Sequence, residues 1–372
     1  MNPLYVDSQT ASLSVDKHSL VIRDRKNNRE IERFSPRQIP YDSILIQRCD
    51  GYVSFAALNW LVKHAVSLTV LNWRGNILAQ FLPEEPISNE LKISQVKAYL
   101  DQERHVQIAR TIVETKLKRQ RQFLESLSES YPLSIPQVPF IRTMKSEDFL
   151  RNAEARYATL YFVRFGLVCE ELGYDFKGRN QTKNNMHAPD LPNGLLNYGY
   201  AILQTYVKRA LNSIGLDNSI PFLHDLRRNS GLVYDLMELW RINIDYSVLQ
   251  TLEQLKRSKR THYLTDGYEV MLEPETVKTL IEKIRFNLSM EELLFNSRIF
   301  AKFLLGDRKM LDFSLRPIQI REVFETDKVK NLILSKSARE LGVPKATLFY
   351  QKKMLREKGT LRLYRTSRRY YA

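Results

Sequence analysis

The stretch LKISQVKAYLDQERHVQIARTIVETKLKRQRQFLESL, residues 91–127, repeats apolar side chains at three- and four-residue intervals, with Lys and Arg on the other side. That is a helical period, and its basic face is expected to be solvated. The residues before it read differently. ASLSVDKHSLVIRDRKNNREIERF, residues 11–34, alternates apolar and polar positions around the polar turns DK and KNN, the pattern of a hairpin or meander. SILIQR (43–48), SLTVLNW (67–73) and GNILAQF (75–81) add three expected strands, with one helix near Ser54 to His64. Residues 1–82 are therefore expected to be mainly β. LPEEPISNE, with two prolines and three acids, marks a linker over 83–90 that leads into a helix capped by Ser88 or Asn89. Residues 91–311 continue as helices, interrupted by polar loops at 175–193 and 215–221. The expected fold is α+β and multidomain: a mainly β N-terminal domain, an all-helical domain and a C-terminal helix-turn-helix over 312–372.

The chain has 372 residues, 43% of them hydrophobic, and a formal net charge of +15. It can bury a sizeable core, and its charge points to a polyanionic partner, nucleic acid before membrane. From Lys328 onward there are thirteen Lys or Arg against Glu340 and Glu357, a net of +11, so most of the excess sits in the tail. LSKSARELGVPKATLFYQKKMLREKG, residues 334–359, fits a helix-turn-helix, with Ser335 as cap, Gly342 at the turn and Pro344 opening the second helix. Ala338, Leu341, Val343, Leu348 and Leu355 would join the helices. Lys345, Thr347, Gln351 and Lys352 would face the major groove of double-stranded DNA, with Lys353 and Arg356 beside them. The longest apolar stretch, Leu58 to Trp73, is broken by Lys63 and His64, and the N-terminus lacks signal-peptide regions. Cys49 and Cys169 lie far apart, which suits a reducing compartment and excludes a cysteine-based zinc site. The protein is expected to be cytoplasmic, with no membrane partner.

FLHDLRRNSGLVYDLMELWR, residues 222–241, sets Asp235 and Glu238 three apart in an otherwise apolar helix, with His224 just upstream. A buried carboxylate needs a counter-ion. Arg227, Arg228 or Arg241 would serve, and so would a metal. His224 taken alone reads as a structural histidine. LRNAEARYATLYFVRFGLV, residues 150–168, repeats the anomaly with Glu154 among Ala153, Ala155, Tyr157, Ala158, Leu160 and Tyr161. Three carboxylates and an imidazole suit Mg²⁺ or Mn²⁺, and such an ion beside a positive surface suits phosphodiester chemistry on DNA or RNA.

RNAEARYATLYF, NGLLNYGYAIL and FLHDLRRNSGLVYDLMELWR resemble, in order, the motifs of the CRISPR adaptation integrases, the CRISPR-associated DNA-integrating endonucleases. The resemblance spans about residues 1–311. It implies a β domain followed by a helical catalytic domain, with Glu154, His224 and Glu238 as metal ligands, Asp235 as a supporting acid, and a homodimer or higher assembly on DNA. SIPFLH lacks a glycine common in the family, and LWRIN lacks a proline that often follows the arginine; neither removes a ligand. The basic tail resembles the casposases, integrases of casposon mobile elements. That resemblance implies joining of 3′-hydroxyl ends to target DNA by transesterification. Lys208, Arg209, Arg227, Arg228 and Arg241 flank the motifs and are expected to hold backbone phosphates; Arg179, Lys183 and His187 lie in a loop able to fold over DNA. Tyr157, Tyr161 and Tyr198 are expected in the core. The alternatives are a CRISPR adaptation integrase that inserts spacers with a partner subunit, and a non-catalytic regulator that uses the tail alone.

Overall fold

The computed structural model describes residues 2–8, 10–47, 50–72, 74–82, 88–128, 133–144, 146–179, 188–226, 230–256, 262–265, 269–318 and Phe349. The N-terminal region is strand-rich, and the rest is mainly helical.

Alternation of apolar residues builds the first sheet from β2 (Ala11–Asp16), β3 (Ser19–Asp24) and β4 (Arg29–Phe34), paired antiparallel. Lys17 and His18 both have positive φ, 47° and 68°, as a two-residue type I′ hairpin requires. A short β6 (Tyr52–Val53) extends the sheet beside β2. The second sheet runs β1 (Pro3–Val6), β5 (Ser43–Gln47), β7 (Ser67–Leu71) and β8 (Ile77–Phe81), parallel except for its last pair. Helix α1 (Phe55–Lys63), capped by the Ser54 hydroxyl, packs against both β2 and β7.

The two faces of the second sheet bury different neighbours. Ile44, Ile46 and Leu68 join the core of the strand region, whereas Leu45 and Leu71 join the core of the helices. The period of two along a strand thus assigns alternate residues to alternate cores. On the helical side follow α2 (Asn89–Leu100), α3 (Gln102–Leu127), α4 (Glu147–Glu171), α5 (Leu191–Asn212), α6 (Gly231–Met237), α7 (Arg241–Lys256), α8 (Pro274–Asn287) and α9 (Met290–Leu305). Helix α5 is apolar nearly all round and runs through the middle, against α6, α7, α8 and α9. It also clamps the sheet. Tyr206 donates to Asp42 Oδ1 (2.8 Å) and lies 2.7 Å from the Ser43 hydroxyl, while Arg209 donates to the carbonyls of Asp42 and Ala65. Gly75, with φ of 79°, passes against Tyr198, where an added Cβ would lie 2.6 Å from the ring.

Three features differ from the sequence expectation. The helical run at 91–127 is two helices, because Asp101 ends α2 and its carboxylate accepts the Glu103 and Arg104 N–H groups that open α3. The helical part also holds a hairpin, β9 (Tyr263–Thr265) with β10 (Val270–Leu272). Finally, Lys116 and Arg119 of α3 are buried, 7% and 8% exposed, although the basic face was expected to be solvated. Ser88 caps α2, and residues 83–87 of the expected linker lie outside the described residues. After α9, Asn296 and Ser314 exchange two hydrogen bonds and Arg316 pairs with Glu292, which pins residues up to 316 onto the helix. The expected helix-turn-helix lies outside the described residues, apart from Phe349.

Candidate active site

Asp235, on α6, is fully buried and accepts four donors. The backbone N–H groups of Phe222 (2.5 Å) and Leu223 (3.0 Å) meet Oδ2, and the N–H of His224 (2.9 Å) meets Oδ1. The ring Nδ1 of His224 lies 2.7 Å from the same Oδ1. These contacts offset the cost of burying the charge and fix the chain at 222–224. Gly231 makes the approach possible, since a Cβ there would meet Pro221 at 2.8 Å. With Nδ1 engaged by the carboxylate, Nε2 is the ring nitrogen whose lone pair remains for another partner.

Glu238 follows α6 as its C-cap and is 5% exposed. Lys116 of α3 sits 2.6 Å from its Oε2, and Arg241 of α7 sits 3.1 Å from its Oε1. Lys116 also pairs with Glu154 of α4, so one ammonium bridges two carboxylates from different helices. Burial alone would raise the Glu238 pKa, but Arg241 and Lys116 outweigh it and hold the carboxyl at about 2. Burial works against the charge of Lys116 too, and Glu238 and Glu154 overcome it. The contact to Oε2 is one of charge rather than alignment: neither that oxygen nor Arg241 Nε has a well-directed hydrogen-bond partner.

Behind this cluster, the Arg241 guanidinium lies over the Tyr200 ring, 4.7 Å from its centroid, with Arg179 over the same ring at 5.4 Å. Tyr200 and Tyr161 each donate to Asp245 at 2.6 Å. Burial raises the Asp245 pKa against those two hydroxyls. Trp240, buried between Leu239 and Arg241, donates its indole N–H to Glu292 Oε1 at 3.1 Å.

The expected residues therefore come together in two pairs, Glu154 with Glu238 through Lys116, and His224 with Asp235. His224 is also close enough for its charge to act on Glu238. Among the described residues, no three His, Cys, Asp or Glu side chains already converge as a metal cluster. Glu154 lies at the margin of the core, its side chain 22% exposed, and the neighbouring Ala155 and Leu160 are exposed. Of the residues expected to hold phosphate, Arg179 donates to Asn193 and Asn197, Arg209 serves the seam with the sheet, and Arg241 serves Glu238. Lys208 is half-buried on α5, where burial lowers its pKa. Arg227, Arg228, Lys183, His187, Lys345, Thr347, Gln351, Lys352, Lys353 and Arg356 lie outside the described residues. Tyr157, Tyr161 and Tyr198 are core residues. Sequence reasoning missed Lys116. Its signal was the spacing: Ile112, Val113, Lys116, Leu117, Gln120, Phe123 and Leu124 form one buried stripe on α3.

A strand-rich region clamped to a helical body, with acids from separate helices and a histidine from the bend before α6, defines a mixed α+β protein with a polar centre in its helical part. Residues 4–285 match the family described as CRISPR associated protein Cas1, and the chain belongs to that family. A protein of Archaeoglobus fulgidus named CRISPR-associated endonuclease Cas1 1 is 25% identical over 348 residues, covering 83% of this chain and 98% of that protein. The structure described as a casposase bound to integration product is 26% identical, with a TM-score of 0.76 over 90% of this chain and 99% of that one. A Cas1 protein from Thermotoga maritima shares the fold, with a TM-score of 0.67 at 18% identity, over 82% of this chain and 97% of that one. No described helix is long and apolar enough to cross a membrane.

Proposed function

We propose that this chain is a metal-dependent DNA integrase of the casposase type, which joins the 3′-hydroxyl ends of a mobile element to double-stranded target DNA by transesterification. The observation that carries this reading is the likeness, over nine-tenths of the chain, to a casposase bound to integration product.

The donor set fits a divalent cation. It offers two carboxylates and an imidazole, one buried oxygen of Glu238 lacks a directed partner, and His224 turns Nε2 away from Asp235. Glu154, His224 and Glu238 would hold Mg²⁺ or Mn²⁺, which would polarise the target phosphodiester and stabilise the leaving oxygen. Asp235 keeps His224 in one tautomer and orientation, with Nδ1–H toward the carboxylate. Arg241, held over Tyr200, balances the charge of Glu238. Lys208, Arg227 and Arg228 are assigned to backbone phosphates, and Lys345, Thr347, Gln351, Lys352, Lys353 and Arg356 to DNA reading by the tail. Joining both ends of one element calls for two sites, hence a homodimer or a larger assembly.

A strand-transfer assay tests this: the purified chain, a labelled duplex with free 3′-hydroxyl ends, a supercoiled plasmid, and Mn²⁺, Mg²⁺ or chelator. Metal-dependent joining that His224→Ala and Glu238→Ala both abolish is the expected result. Joining that survives chelator or both substitutions would overturn the site. The second reading, a CRISPR adaptation integrase, is favoured by the name of the Archaeoglobus fulgidus relative. It predicts joining only after a partner subunit is added.

A further inference from the structure

Lys116 holds a position that the proposed chemistry does not use. Its ammonium, 8% exposed, reaches Glu238 on one side and Glu154 on the other. Those are the two carboxylates assigned to the cation, and they arrive from different helices. Each would be costly to bury unpaired, and together they would repel. A lysine suits the gap between them, because its charge is compact and its three donors sit on a flexible four-carbon stem.

We infer that Lys116 is an internal counter-ion that competes with the divalent cation for Glu154 and Glu238, so that the site closes around metal only when the ammonium withdraws. The inference rests on the metal-dependent reading above. Two features of the bridge support it. Lys116 and Glu238 meet as buried opposite charges 2.6 Å apart, a pairing of charge that another cation can take over. The ammonium also occupies the space between the two carboxylates, reaching both from α3, so a second cation cannot bridge them while it is there. Glu154, with a side chain 22% exposed, is the open side of the cluster and the route by which one cation replaces the other.

The test is Mn²⁺ binding to the full-length protein after chelator treatment, followed by the electron paramagnetic resonance of free Mn²⁺, in wild type and Lys116→Met. The variant is expected to bind about tenfold more tightly or better, within the usual range of coupling between competing occupants. Its thermal midpoint without metal should be lower than that of wild type, and the rise on adding Mn²⁺ larger. Lys116→Gln, neutral but able to donate hydrogen bonds, gives the same comparison if the Met variant does not fold. Binding to wild type with an equal or weaker affinity in the variants would overturn the competition and leave the metal reading standing. Absence of Mn²⁺ binding in wild type and variants alike would overturn both.

Discussion

His224 Nδ1 stands 2.7 Å from Asp235 Oδ1, and the same carboxylate receives the backbone N–H groups of residues 222, 223 and 224. Asp235 is therefore a positioning residue committed to the chain before it acts on the ring. Asp235→Asn should lower stability by about 3 kcal/mol, because an amide cannot accept from all four donors. His224→Ala, whose ring is 22% exposed, should cost about 1 kcal/mol. Urea titrations compare the two; a smaller loss for Asp235→Asn would remove the aspartate from this structural role.

The two glutamates should separate by their burial. Glu154→Gln and Glu238→Gln are both expected to reduce strand transfer by about a hundredfold or more, as loss of a metal ligand does. Only Glu238→Gln should also destabilise the protein, by about 3 kcal/mol, because it leaves Lys116 and Arg241 with a buried excess of positive charge. Joining rates and denaturation midpoints, measured on the same preparations, give the comparison.

Acid should reveal the same pairing. The Glu238 carboxyl is held at about 2 in the folded chain, against an ordinary 4.5. Below about pH 4.5 the unfolded chain takes up a proton that the folded site refuses, so stability falls as pH drops toward 2. In chelator this group should contribute on the order of 3 kcal/mol at neutral pH, lost across that window. Glu238→Gln should flatten this part of the curve of stability against pH; an unchanged slope would assign the acid sensitivity elsewhere.

Gly75→Ala tests the clamp between sheet and helices. The position has φ of 79°, and a Cβ would come within 2.6 Å of the Tyr198 ring. A loss of about 2 kcal/mol is expected, from left-handed backbone strain and a ring that must shift. Calorimetry on the variant would settle the size of the effect.

Truncation should treat two parts of the C-terminus differently. Removing residues 319–372 takes away a net charge of +9 and spares the contacts of Asn296 with Ser314 and of Glu292 with Arg316. Joining should persist, with weaker DNA binding and a shallower dependence of affinity on salt. Removing residues 312–372 also strips those contacts and should lower the thermal midpoint. Equal midpoints for the two truncations would argue against the docking.

Much of this was legible in the order of residues. Alternation in 11–34 and the apolar runs 43–47, 67–71 and 77–81 mark strands whichever core they face, and Ser54 marks the start of α1. Glu154, His224, Asp235 and Glu238 stood out because acids interrupt apolar periods. What escaped notice depends on long-range geometry. β1 finds its partner β5 some forty residues away, and three-residue strands such as β9 and β10 carry too few side chains to show a period. Lys116 was lost in a helix full of lysine and arginine, where only its place in the stripe that begins at Ile112 distinguishes it. Asp235 showed as an acid with a histidine nearby, but nothing in its spacing revealed the three backbone groups it collects.

Trp240 lies next to Arg241 and two residues from Glu238, buried, with its indole N–H held by Glu292. The chain has three tryptophans. Replacing Trp60 and Trp73 by phenylalanine leaves one tryptophan, just behind the site, buried and hydrogen-bonded to Glu292. With excitation selective for tryptophan, a change in its emission on mixing is the expected report of rearrangement around Glu238 and Arg241, and stopped-flow mixing would time the arrival of a cation or of DNA before any strand is joined.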